Sequence, residues 1–115
     1  MMIYLAHPYG GDARNKDDAA KIAAGIHAET GLDVFNPLDE FTFLSSDTDE
    51  RGILYACKGA LETCSLIVFC PGWEQSRGCR YERMIAKKRG IPRMYINEDH
   101  AALFRELSAV RGNAA

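Results

Sequence analysis

The segment that most restricts the fold is Cys64-Ser65-Leu66-Ile67-Val68-Phe69-Cys70, which Pro71-Gly72 ends at once. It is apolar and rich in β-propensity without polar alternation. A strand with one wet face alternates; a strand without alternation is covered on both faces. Such a strand needs a layer above and a layer below it, and the rest of the chain has to supply them. The chain has 115 residues, 47% of them hydrophobic and 26% charged. That is one ordinary globular domain, able to bury a core without disulfide or metal support. No repeat, low-complexity tract or Pro/Gly/Ser-rich linker divides it.

The layers are visible on either side of this strand. Met2 to Ala6 is a short apolar run that meets the turn His7-Pro8-Tyr9-Gly10-Gly11. Asp12 or Asn15 is placed to cap a following helix, in which Ala19, Ile22, Ala23 and Ile26 form one face and Gly31 is the stop. Leu32 to Phe35 reads as a second strand closed by Asn36-Pro37. Leu38 to Arg51 reads as a loop or lid holding five acids (Asp39, Glu40, Asp47, Asp49, Glu50) with Phe41, Phe43 and Leu44 among them. Ile53 to Thr63 is an expected helix with Leu54, Cys57 and Leu61 inward. Gly78 to Arg89 is another, with Tyr81, Met84 and Ile85 on one side and Lys87, Lys88 and Arg89 at its negative end. Ile91 to Ile96 is a fourth strand and Ala101 to Val110 a last helix. Strands alternating with helices predict an α/β domain: a flavodoxin-like, Rossmann-like parallel sheet of four or five strands with helices on both faces. In such sheets ligands bind beyond the C-terminal strand ends, at His7–Gly11, Asn36–Arg51 and Pro71–Gly78.

Fourteen basic side chains against sixteen acidic ones give a net charge of −2. This argues against long nucleic acids as partners, which call for a strongly basic surface, and leaves small anions open. No apolar run is long enough to span a bilayer, and no basic segment precedes the apolar N-terminus as in a signal peptide. The expected location is therefore the cytoplasm, with Cys57, Cys64, Cys70 and Cys79 as reduced thiols. Cys57 and Cys64 are expected to pack in the core. Cys79, at a helix start, is the thiol whose acidity the helix could raise, though a structural role is its default.

The loop after the central strand carries the clearest chemistry: Pro71-Gly72-Trp73-Glu74-Gln75-Ser76-Arg77-Gly78-Cys79-Arg80-Tyr81-Glu82. Free backbone N–H groups at a helix start, a Ser hydroxyl and a close-approach Gly suit an anion. Arg77 and Arg80 can add charge-assisted contacts to phosphate. Glu82, about one turn inside the helix, is expected beside that anion and ionised by the helix dipole. The plainer reading is a helix start with Ser76 as N-cap and Glu82 on a solvated face.

Ser76-x-Gly78-x-x-x-Glu82 after an apolar strand resembles the nucleoside 2-deoxyribosyltransferase superfamily, most of all its small branch of 2'-deoxynucleoside 5'-phosphate N-hydrolases and related phage and bacterial domains. The Ile3-Tyr4-Leu5-Ala6 strand with its Gly10-Gly11 loop, Asn36-Pro37, and Cys64-Ser65 fit the same pattern over about the first 95 residues. The resemblance implies cleavage of the N-glycosidic bond of a (deoxy)nucleoside 5'-monophosphate. Glu82 would be the nucleophile, forming a covalent glycosyl ester, with Tyr4 close to it. Ser76, Gly78 and the Pro8, Tyr9, Gly10 and Gly11 loop would hold the phosphate, with Arg77 beside them. It implies no metal or cofactor, and it implies a homodimer.

The family's hydrolases also carry an aspartate on the helix before the third strand, which helps the base to leave. Alignment through Cys64-Ser65 puts that position at or near Cys57, which is no acid. Candidates for the task are His7, Tyr9, Asp39 and Asp47, His7 being the best placed at the end of the first strand; its plainer reading is a hydrogen-bonded structural residue. Trp73 can stack on a base or pack on its own loop. The rival functions are a nucleotide-binding module without turnover, a transferase moving deoxyribose between bases, and a glycohydrolase of a dinucleotide such as NAD.

Overall fold

The computed structural model describes residues 2–10, 12–40, 50–96 and 105. The elements run β1 (Met2–Ala6), α1 (Ala13–Thr30), β2 (Asp33–Phe35), α2 (Pro37–Glu40), α3 (Glu50–Leu61), β3 (Leu66–Phe69), a 3-10 turn (Trp73–Gln75), α4 (Arg77–Arg89) and β4 (Arg93–Tyr95). The four strands are parallel in the order β2-β1-β3-β4. All four residues of β3 are buried, as its composition requires. This is the expected α/β architecture. Its strand order reverses between β1 and β3, so the loops leaving those two strands flank the switch point where such sheets bind ligands.

Alternation along the strands sorts the core into two layers. Ile3, Leu5, Leu66 and Val68 face Ala19, Ile22 and Ile26 of α1. Tyr4, Ala6, Ile67 and Phe69 face Cys57 and Leu61 of α3 and Cys79, Ile85 and Ala86 of α4. Helices therefore cover both faces, and the second layer is the one that contains the residues of interest. Cys57 and Cys64 are both buried there.

The helix boundaries follow local chemistry. Asp12 caps α1, its carboxylate accepting from the Arg14 N–H at 2.9 Å. Gly31 ends α1 in the left-handed region, donating its N–H to the His27 carbonyl. At the end of α4 Ile91 N–H reaches the Ala86 carbonyl and Gly90 N–H the Lys87 carbonyl, a Schellman closure.

Three expectations need correction. Residues 37–40 form a short helix rather than part of a loop, begun by Asn36, whose side-chain oxygen accepts from Leu38 N–H. Met84 is 53% exposed rather than inward. The inward stripe of α4 is Cys79, Glu82, Ile85 and Ala86, and a residue two places beyond Glu82 lies about 200° around the helix from it. Leu32 and Ile91 stand outside their expected strands, because Leu32 N–H bonds to Thr30 Oγ1 and Ile91 N–H to α4. Gly11, Phe41, Phe43, Leu44, Asp47 and Asp49 lie outside the described residues, as do the side chains of Glu40, Glu50 and Leu54 and all of the expected last helix except Arg105, which is helical. Among the described residues no helix is long and apolar enough to cross a membrane.

Candidate active site

β1 carries Tyr4 into the second layer at 0% exposure, its ring stacked on Phe35 of β2 with centroids 5.7 Å apart. α4 brings Glu82 to the same layer at 7% exposure. The Tyr4 hydroxyl is buried and close enough to interact with the Glu82 carboxyl and the Cys57 thiol, yet none of these contacts has the geometry of a formed hydrogen bond. It is an orphaned polar group with the capacity to donate to a carboxylate.

No cation answers the Glu82 carboxyl among the described residues. Burial raises it to about 8, and only the Tyr4 hydroxyl pulls the other way. The expectation of a carboxylate ionised by the helix dipole is thus corrected: a dipole contribution of about 0.3–1 kcal/mol is outweighed by desolvation. The same environment acts on its neighbours. Burial first, then the charge of Glu82, pushes the Tyr4 phenol well above its ordinary value. Burial lifts the Cys57 thiol to about 11 and the Cys79 thiol to about 12. Cys79 is accordingly no activated thiol, despite its place at a helix start; its side chain points into the core.

The start of α4 has the cap of the plainer reading. Ser76 is its N-cap, with extended φ and ψ, and its hydroxyl accepts from Cys79 N–H at 3.2 Å. The cap fixes the first turn, and Ser76 and Gly78 are half-exposed at its mouth. Arg77 is exposed beside them. Arg80 donates to the Glu74 carbonyl at 3.2 Å, closing the loop ahead of the helix. Gly72, at φ +90°, turns the chain out of β3; a Cβ there would stand 3.4 Å from Pro8 Cγ. The loops after β1 and β3 therefore touch, and the β1–β3 pairing continues one step further through Cys70 N–H to the Ala6 carbonyl.

In the first loop, Pro8 is half-buried and Tyr9 and Gly10 are exposed, with Gly10 in the left-handed region at φ +57°. The Tyr9 carbonyl accepts from Asp12 N–H and from Asn15 Nδ2, which ties the loop to α1. His7 Nδ1 lies 2.7 Å from the Pro8 carbonyl and Nε2 lies 2.7 Å from Asp18 Oδ2. Both ring nitrogens are thus occupied within the protein, the arrangement of the plainer, structural reading. Asp39 faces the Asn36 amide at 3.3 Å. Trp73 packs against Phe69 and Tyr95, at 5.3 and 5.4 Å between centroids, with the Arg83 guanidinium 5.4 Å from its ring centre. Its ring is held by β3, β4 and α4.

The structure brings Tyr4 and Glu82 together and sets the Ser76 turn and the first loop at the neighbouring strand ends. It ties His7 to α1 and Trp73 to β4 instead. Cys57, which the sequence places inward and at or near the position of the family's aspartate, faces the Tyr4–Glu82 pair. One partner went unread in the sequence: Asp18 anchors His7 from an exposed position that no periodicity marks.

Residues 1–95 match the family described as Domain of unknown function (DUF4406). No curated protein matches the chain. Among solved structures, the chain is similar to a 2-deoxyribosyltransferase from the psychrotolerant bacterium Bacillus psychrosaccharolyticus, described as a biocatalyst for the synthesis of antiviral and antitumoral nucleosides. The TM-score is 0.69 at 16% identity, over 93% of this chain and 96% of that one. At that identity the likeness is one of fold. With its match running from the first residue through β4, the chain belongs to the DUF4406 family.

Proposed function

We propose that the protein cleaves the N-glycosidic bond of a (deoxy)nucleoside 5'-monophosphate through a glycosyl ester on Glu82. The observation that carries this reading is the buried Glu82 carboxyl set against the orphaned Tyr4 hydroxyl, beside the switch point of a parallel sheet. A buried carboxyl and an unsatisfied hydroxyl both cost stability, and such costs gather where chemistry needs them.

In this mechanism the phosphate sits against the start of α4, held by Ser76, Gly78 and Arg77, with backbone of the Pro8–Gly10 loop opposite. The ionised Glu82 attacks the anomeric carbon as the base departs with the electron pair of the C–N bond. Tyr4 donates to the carboxylate oxygen that is not attacking and fixes its direction. Water then attacks the same carbon, frees the sugar phosphate and returns the carboxylate. The resemblance extends the reading to a homodimer, which sedimentation of the purified chain would reveal.

The test is a panel of nucleoside monophosphates followed by chromatography for free base. Glu82→Ala is expected to abolish turnover while monophosphate binding survives; unchanged turnover would overturn the mechanism. The similarity to a deoxyribosyltransferase supports a second reading, in which another base rather than water accepts the sugar. Adding a free base and finding a new nucleoside would select it. Binding without release of base from any member of the panel would leave a nucleotide-binding module.

A further inference from the structure

Resting on the hydrolase reading, we propose that the preferred substrates are nucleoside 5'-monophosphates whose base carries a positive charge, such as N-alkylated purines and pyrimidines. Among the described residues, Tyr4 of β1, Cys57 of α3 and Cys79 of α4 are the titratable groups that face the buried Glu82, with Cys70 beyond the end of β3, and all are uncharged at neutral pH. Among the described residues no Lys, Arg or His forms an ion pair with it. A neutral substrate therefore meets a carboxyl that is largely protonated at pH 7, since its titration lies near 8. A cation placed within a few ångströms favours the ionised form and lowers such a titration by about one to three pH units. A cationic base thus supplies the charge that the described residues do not and switches on its own nucleophile.

The same charge answers the leaving-group problem. An uncharged base departs as an anion unless an acid protonates it. The side chains best placed among the described residues are unsuited: His7 has both ring nitrogens engaged, and Cys57 holds its proton up to about 11. A cationic base needs no proton. As the C1'–N bond breaks, its electron pair neutralises the ring, while a Glu82 oxygen forms the new C1'–O bond. Hydrolysis of the ester consumes one water and yields sugar phosphate, neutral base and one proton.

Matched pairs test this: 2'-deoxyguanosine 5'-monophosphate against its N7-methyl derivative, and 2'-deoxycytidine 5'-monophosphate against its N3-methyl derivative. Each enzymatic rate at pH 7 is divided by that compound's own uncatalysed rate, so intrinsic lability cancels. The expected acceleration is larger for the cation in one or both pairs, by up to about tenfold, the most that ionising a carboxyl that starts about one-tenth ionised can give. Glu82→Gln, which keeps the shape and removes the charge, is expected to abolish that advantage. Equal or smaller acceleration of both cations would overturn the substrate preference and leave the hydrolase reading standing. No base released from any of the four compounds would overturn both.

Discussion

Burying the Glu82 carboxyl without a cationic partner among the described residues links folding to pH, with or without substrate. Its ordinary titration is at 4.5 and its folded one at about 8. Below 4.5 both folded and unfolded chains hold the proton and nothing is lost. Between the two values the unfolded chain releases it and the folded chain keeps it, so stability falls as pH rises; above 8 the loss is complete. A separation of this size corresponds to a penalty on the order of 5 kcal/mol. Glu82→Gln is therefore expected to unfold at a higher urea concentration than the parent at pH 8 and to lose that advantage at pH 4.5. Turnover of uncharged substrates is expected to rise with pH to a plateau beyond about 8, because the nucleophile is the ionised form. The position of Glu82 was legible in its spacing from Ser76 and Gly78. Its protonation was not, because desolvation depends on Tyr4 and Cys57, which come from other elements.

At the scale of the element, α4 shows how one residue serves two ends. Ser76 Oγ caps the helix through Cys79 N–H and stands at the turn proposed to hold phosphate. Ser76→Ala is expected to cost about 1 kcal/mol of stability, the usual worth of a cap, and also to weaken binding of the phosphorylated ligand. Ser76→Asp separates the two effects. A carboxylate caps as well as a hydroxyl, so thermal stability holds, but its charge repels phosphate and monophosphate affinity should fall further than in the alanine variant. Calorimetry of both variants, with a nucleoside as the uncharged control ligand, checks this. The sequence announced the helix through Ser76 and Gly90. It misled about the inward face because Met84 is apolar and Glu82 is not, while the packing stripe is set by Cys79, Ile85 and Ala86. Trp73 remained open between two uses in the sequence, since its packing partners Phe69 and Tyr95 belong to separate strands.

Across the whole molecule, the sheet separates a packing layer from the layer that holds the site. The alternation of elements made the parallel sheet readable, and β3 announced its central place by lacking polar residues. Which strands are neighbours was not written in any local segment, yet the reversal between β1 and β3 is what puts the two candidate loops together. This separation has a measurable consequence. Leu5 and Ile67 are both fully buried, Leu5 against α1 and Ile67 in the layer of Tyr4 and α4. Truncation of either to alanine is expected to cost about 2–5 kcal/mol. The cavity left by Leu5→Ala lies across the sheet from Glu82, so the fall in stability between pH 4.5 and 8 should keep its full size. The cavity left by Ile67→Ala opens in the layer of the carboxyl, where added space or water eases desolvation and brings the folded titration down towards its ordinary value. Urea unfolding across that pH range should then give parallel curves for the parent and Leu5→Ala, and a flatter one for Ile67→Ala. If both variants kept the parental slope, the Glu82 carboxyl would owe its elevation to α4 and its loop rather than to the layer it shares with β3.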